Sequence, residues 1–80
     1  MQKTQTYSSN ECNEYNIIID NIVVAYYIEH FKNPNDDTIL DNPIFEIYYN
    51  FNNETEEFES SLVTEYYDDL QSIIEDLQYA

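Results

Sequence analysis

Charge in this chain is almost completely one-sided. Seventeen Asp and Glu stand against two Lys, Lys3 and Lys32, and no Arg, a formal net charge of −15 over 80 residues. A chain of this length forms one small domain at most. Self-repulsion therefore takes stability away from whatever fold it adopts. The same charge excludes whole classes of partner. A nucleic-acid binder needs Lys and Arg to displace counterions from phosphate, and this surface is repelled by DNA, RNA and anionic lipid alike.

Other exclusions follow from local features. The start, Met1 to Thr6, is polar and has no apolar segment behind it, which argues against a secretory leader. The longest apolar stretch, Ile17 to Ile28, is broken by Asp20 and Asn21 and falls short of the ~20 residues of a membrane span. Cys12 is the one cysteine, so no internal disulfide can form, and the reducing cytoplasm of a bacterial cell is the expected compartment. High charge with low mean hydropathy is the composition of disorder. Ile, Leu, Val and Phe nevertheless supply 21 of the 80 residues, above the level of about 20% at which disorder becomes the default. Nine Tyr add area to bury, and the chain is expected to fold.

AT-rich coding accounts for ten Ile, ten Asn and nine Tyr. It should supply abundant Lys as well. The scarcity of Lys is therefore a property of this surface rather than of the genome.

The pattern along the chain predicts a small α+β domain: an antiparallel sheet of about three strands with one C-terminal helix packed on it. Residues 1–13 are polar and read as a flexible or irregular N-terminal arm, with the domain spanning 14–80. Tyr15 to Ile19 is β-branched and ends at Asp20-Asn21, a pair that tolerates the left-handed backbone of a tight turn in a chain without Gly. Ile22 to Phe31 is then a return strand or a buried helix capped by Asn21. The Val-Val and Tyr-Tyr pairs favour the strand. Asn33-Pro34-Asn35-Asp36-Asp37 reads as a turn, and Asp41-Asn42-Pro43 as a second break after a short Thr38–Leu40 segment. Ile44 to Phe51 alternates cleanly, with Phe45, Ile47, Tyr49 and Phe51 on one face. The helix is expected from an N-cap at Ser60 or Ser61, with Val63, Tyr66, Leu70, Ile73, Ile74 and Leu77 as its apolar stripe.

No catalytic or metal-binding pattern emerges. Asn33, Asn35 and Asp37 sit at the alternate positions of a calcium loop, but the sixth position lacks Gly and the twelfth is Ile44 rather than Glu. Zinc needs several Cys or His, and Cys12 and His30 are single. The same two residues would have to serve as a nucleophile and its base, with nothing in the sequence to bring them together. The chain is read as a non-enzyme without cofactor or metal.

What remains is the acidic surface. Glu54, Glu56, Glu57 and Glu59 lie just before the expected helix, where its dipole favours negative charge. Glu65, Asp68, Asp69, Glu75 and Asp76 occupy the face away from its stripe. Carboxylates four residues apart on a helix are offset by about 6 Å, close to the spacing of phosphates along one nucleic-acid strand. Typical surfaces mix both signs; this one suits a basic groove, with Tyr48 and Tyr67 as candidate aromatic anchors.

Three segments carry that character: Asn53-Glu54-Thr55-Glu56-Glu57-Phe58-Glu59, Glu65-Tyr66-Tyr67-Asp68-Asp69 and Glu75-Asp76. In these and in its size the chain resembles small acidic inhibitors from phages and mobile elements that mimic nucleic acid, anti-CRISPR proteins above all. Anti-restriction proteins and inhibitors of uracil-DNA glycosylase are of the same kind. The resemblance lies in composition and length and includes no motif. It implies a basic nucleic-acid-binding protein as partner, a CRISPR effector nuclease whose DNA- or PAM-binding groove the chain would fill. An immunity protein or antitoxin neutralising a basic nuclease toxin would share the charge logic. An adaptor that is acidic only for solubility is the third reading.

Overall fold

The computed structural model describes residues 1–79. Five strands follow in order: β1 (Gln2–Ser8), β2 (Cys12–Ile19), β3 (Ile22–Lys32), β4 (Ile39–Asn52) and β5 (Glu57–Thr64), then the helix α1 (Tyr67–Tyr79). Each strand pairs antiparallel with the next, giving the order β1-β2-β3-β4-β5. The architecture is α+β with a C-terminal helix on an antiparallel sheet, but the sheet has five strands rather than about three.

The two additional strands are the edges. Residues 1–13, expected as an irregular arm, hold β1 and the first residues of β2, and the ladder runs from Gln2↔Ile18 to Ser8↔Asn13. Thr4, Thr6 and Tyr7 suit a strand, and backbone pairing suffices because every β1 side chain is exposed. At the other edge, Ser60 and Ser61 are not helix caps. They pair with Tyr49 and Tyr48 inside β5. The expected domain range 14–80 thus omits a hydrogen-bonded strand, and its last residue, Ala80, lies outside the described residues.

The turns show how a chain without Gly reverses direction. Asp20 (φ 52°) and Asn21 (φ 65°) both take the left-handed conformation that a two-residue hairpin between right-twisted strands requires. This makes Ile22–Lys32 the return strand and removes the helical alternative. Two of the other three hairpins, β3–β4 and β4–β5, share a different device. Asn33 and Asn52 each accept the N–H two residues on through the side-chain oxygen (2.9 and 2.8 Å). Each also accepts the N–H four residues on through the carbonyl, from Asp37 (2.9 Å) and Glu56 (2.8 Å). Asp37 and Glu56 both sit at positive φ. The expected break at Asp41-Asn42-Pro43 does not interrupt β4. It does coincide with a break in register against β3, where His30↔Ile44 is followed by Lys32↔Ile39. Pro43 falls in that break and beyond the end of the β5 ladder, so its missing N–H leaves no ladder bond unmade.

One face of the sheet is covered. Ile17, Ala25, Tyr27, Phe45 and Ile47 point toward α1 and close on Leu70 and Ile74. Tyr15, Tyr49, Ile73 and Leu77 flank them. Burying each such Ile or Leu is worth about 1.5–3 kcal/mol. The stripe Leu70, Ile73, Ile74 and Leu77 holds as expected, whereas Val63 and Tyr66, each 64% exposed, do not belong to it. Val63 is a strand residue on the opposite face of the sheet, because the helix starts later than its pattern suggested.

Candidate partner-binding surface

The structure divides the expected site residues into separate places. Glu54, Glu56, Glu57 and Glu59 are exposed in the β4–β5 hairpin. Asn52 anchors that loop, its amide donating to Glu59 Oε1 at 2.6 Å, and Phe51 meets Phe58 edge-on beneath it (5.1 Å). The helix starts at the other end of β5, roughly 26 Å of strand away. These four carboxylates therefore do not face its dipole, contrary to expectation. Asp68 and Asp69 do, in its first turn.

A second group forms a cleft where β5 passes into α1. Glu65, Tyr66, Tyr67 and Asp68 line it from the junction, and Glu29, Asn42, Pro43 and Phe45 line it from β3 and β4. It is a wide-mouthed hollow of about 700 Å³. Phe45 and Tyr67 meet edge-on with ring centroids 5.7 Å apart. Asn13 Nδ2 donates to Glu29 Oε1 at 3.2 Å, so one wall carboxylate is oriented before any partner arrives. Three carboxylates and three aromatic rings thus surround one hollow.

Sequence reasoning found Glu65, Tyr67 and Asp68 here but missed Glu29, Tyr66 and Phe45 as wall residues. Period-two alternation along β3 places Glu29 on the face of Ala25 and Tyr27, so the strand reading of Ile22 to Phe31 carried the signal. Asp69 does not join the cleft, because Thr64 Oγ1 donates to its carboxylate at 2.7 Å. Glu65 precedes the helix, so the phosphate-like pair expected from Glu65 and Asp69 at helical spacing does not form. Glu75 and Asp76 are exposed near the end of α1, Asp76 beside a smaller hollow with Tyr49, Asn50, Ile73 and Leu77.

Tyr48 lies on the sheet face away from α1 and stacks on Tyr26, with ring centroids 5.8 Å apart. Its hydroxyl donates to Glu46, whose other oxygen meets His30 Nε2 at 3.0 Å. These bonds, the Tyr48 hydroxyl first and then His30, hold the Glu46 carboxyl below its ordinary range. Burial, reinforced by the bond to Glu14, pushes the Tyr26 hydroxyl well above its own.

Little positive charge offsets this surface. Lys32 reaches Glu11 at 3.5 Å, and Lys3 lies over the Tyr15 ring at 4.9 Å. Among the described residues only Glu11 and Glu46 have an ion-pair partner. No group of three or more His, Cys, Asp or Glu among them is placed to hold a metal ion. In the loop that partly matches a calcium site, the Asn33 side chain is spent on closing the turn. Cys12 and His30, which nothing in the sequence brought together, are register partners across β2 and β3. The His30 ring is nonetheless bonded to Glu46. No helix among the described residues is long and apolar enough to cross a membrane. No known family model, no curated protein and no solved structure matches the chain.

Proposed function

We propose that this protein is an acidic, non-enzymatic inhibitor that occupies the basic nucleic-acid-binding groove of a defence nuclease, of which a CRISPR effector in a bacterial cytoplasm is the leading example. One observation carries the reading: Glu29, Glu65 and Asp68 converge with Phe45, Tyr66 and Tyr67 in one cleft and have no ion-pair partner among the described residues. Carboxylates steer encounter with Lys and Arg and set the register of docking. Aromatic rings at the centre of an interface supply most of its affinity. The carboxylates would be repelled by nucleic acid itself, which shares their charge.

The test is competition. Purified CRISPR effector nucleases are given labelled target DNA together with increasing amounts of the protein. The expected outcome is that the apparent DNA affinity of at least one effector falls in proportion to inhibitor concentration. Reversing the cleft charge with Glu65→Lys and Asp68→Lys should weaken that inhibition about tenfold or more. An effector panel whose DNA binding is untouched at every concentration would sink the proposal.

A further inference from the structure

The face of the sheet opposite α1 has no layer over it among the described residues, yet its side chains are far from a simple solvated surface. Register sets Tyr26 beside Tyr48 at the centre, and in the next row Glu14 and Glu46 flank Ile28. Neighbouring strands lie about 4.8 Å apart, so the two carboxylates stand roughly 10 Å from each other. The two rings are stacked with planes 19° apart. Each hydroxyl is tied to one of the flanking carboxylates: Tyr26 donates to Glu14 Oε1 at 2.6 Å, and Tyr48 donates to Glu46. Val63, 64% exposed, extends the apolar ground next to Glu46. Ser61, a small residue, stands beside Tyr48 on β5.

An antiparallel sheet can leave one face to solvent, but this one sets two stacked rings, Ile28 and Val63 among two carboxylates, and charge decides what could rest on it. A second copy of the chain would bring four carboxylates into one interface with only the two His30 rings to offset them, on top of −15 on each molecule. Nucleic acid and anionic membrane are repelled outright. A basic protein segment is the occupant whose charge complements the face. Its side chain can be specified further. Guanidinium is planar, stacks on aromatic rings and meets carboxylates with a fork of donors, whereas ammonium is a strongly hydrated point charge. Glu14 is already held by the Tyr26 hydroxyl and Glu46 by Tyr48 and His30, so binding would immobilise them at little further entropic cost, through the second lone pair of each oxygen.

We propose that this open face docks an arginine-bearing segment of the partner protein, with Tyr26 and Tyr48 as the stacking platform and Glu14 and Glu46 as guanidinium acceptors. The inference rests on the reading of the chain as a binder of basic protein surfaces and assigns that binding a second face, separate from the cleft.

Amide-proton NMR of the full chain, titrated at low salt with nona-arginine and separately with nona-lysine, tests it. The expected result is shifts concentrated at Glu14, Tyr26, Glu46 and Tyr48, with arginine bound about five-fold more tightly than lysine. A Glu14→Gln, Glu46→Gln double variant should lose that preference, and the map on the unaltered chain stands whether or not the variant folds. Shifts confined to α1 and the β4–β5 loop, equal for both peptides, would overturn the inference and leave the basic-partner reading intact. Absence of any shift with either peptide would overturn both.

Discussion

Thr64 and Asp69 are joined by a hydrogen bond that spans the start of α1, with Thr64 Oγ1 donating to Asp69 Oδ2 at 2.7 Å. The same hydroxyl accepts the Tyr66 N–H at 3.1 Å. The four residues enclosed between them, Glu65 to Asp68, are the ones the junction contributes to the cleft. One carboxylate of the acidic helix start is therefore spent on shaping the turn that presents its neighbours. Thr64 is also buried, 8% exposed, so its hydroxyl is largely shielded from water.

Replacing Thr64 with Val keeps the shape and removes both bonds. The expected loss is about 1–2 kcal/mol in urea denaturation, the net worth of the two bonds, one of them to a carboxylate, since Tyr66 and Asp69 are exposed and rehydrate. Thr64→Ser should retain most of the stability. Equal stability of the Val variant and the parent would mean that the junction is held by Leu70 and Ile74 alone.

Glu56 occupies a left-handed backbone position, φ 58°, that costs a residue with a β-carbon about 1 kcal/mol. It is also exposed among Glu54, Glu57 and Glu59. Glu56→Gly relieves strain and repulsion together, partly offset by the entropy of a freer unfolded chain. A net gain of about 0.5 kcal/mol is expected, read as a raised midpoint in thermal unfolding. Glu54→Gly, at a position without positive φ, should give no gain and serves as the control.

The contrast between β4 and β1 explains which parts of this fold were legible beforehand. Phe45, Ile47 and Tyr49 bury one face of β4 and leave the other open, so their alternation announces a strand. Asp20-Asn21 announces a hairpin because few residue pairs accept that turn. β1 has no such signature: both its faces are exposed, and a strand that buries nothing leaves no hydrophobic period to read. β5 failed for a related reason. Phe58, Ser60, Leu62 and Thr64 share a face, but two of the four are hydroxyl residues that also suit helix caps. The misplaced helix start then carried over to the site. It put Glu54–Glu59 beside the dipole and Glu65 on the helix, while Glu29 passed unnoticed on a strand whose type was open.

Titration of the open face should destabilise the protein at both ends of the pH range. Burial and the bond to Glu14 raise Tyr26 above its ordinary 10.0. The stability this contributes is fully present below pH 10.0 and lost as pH rises through the higher folded value. Glu46 is lowered from 4.5. Its contribution is present above that value and lost as pH falls through the depressed one. Tyr26→Phe should lessen the alkaline loss, leaving the parts due to Tyr27, which burial raises, and Tyr48, which the bond to Glu46 raises. Glu46→Gln should lessen the acid loss. Denaturant midpoints collected across pH, with neither variant changing either limb, would separate this network from stability.

Uncompensated charge should make folding and binding respond to salt in opposite directions. Between about 0.01 M and about 1 M salt the screening length falls from about 30 Å to about 3 Å. Repulsion among the exposed carboxylates of the β4–β5 loop and α1 weakens accordingly, so the melting temperature should rise with added sodium chloride. Attraction to a basic partner weakens over the same range, and affinity for an effector nuclease or for nona-arginine should fall by about tenfold or more. The two measurements constrain each other. A melting temperature that does not move would mean the carboxylates are too dispersed to repel. If melting responds to salt while affinity does not, the partner is held by shape and apolar contact, and charge mimicry is the wrong account of this surface.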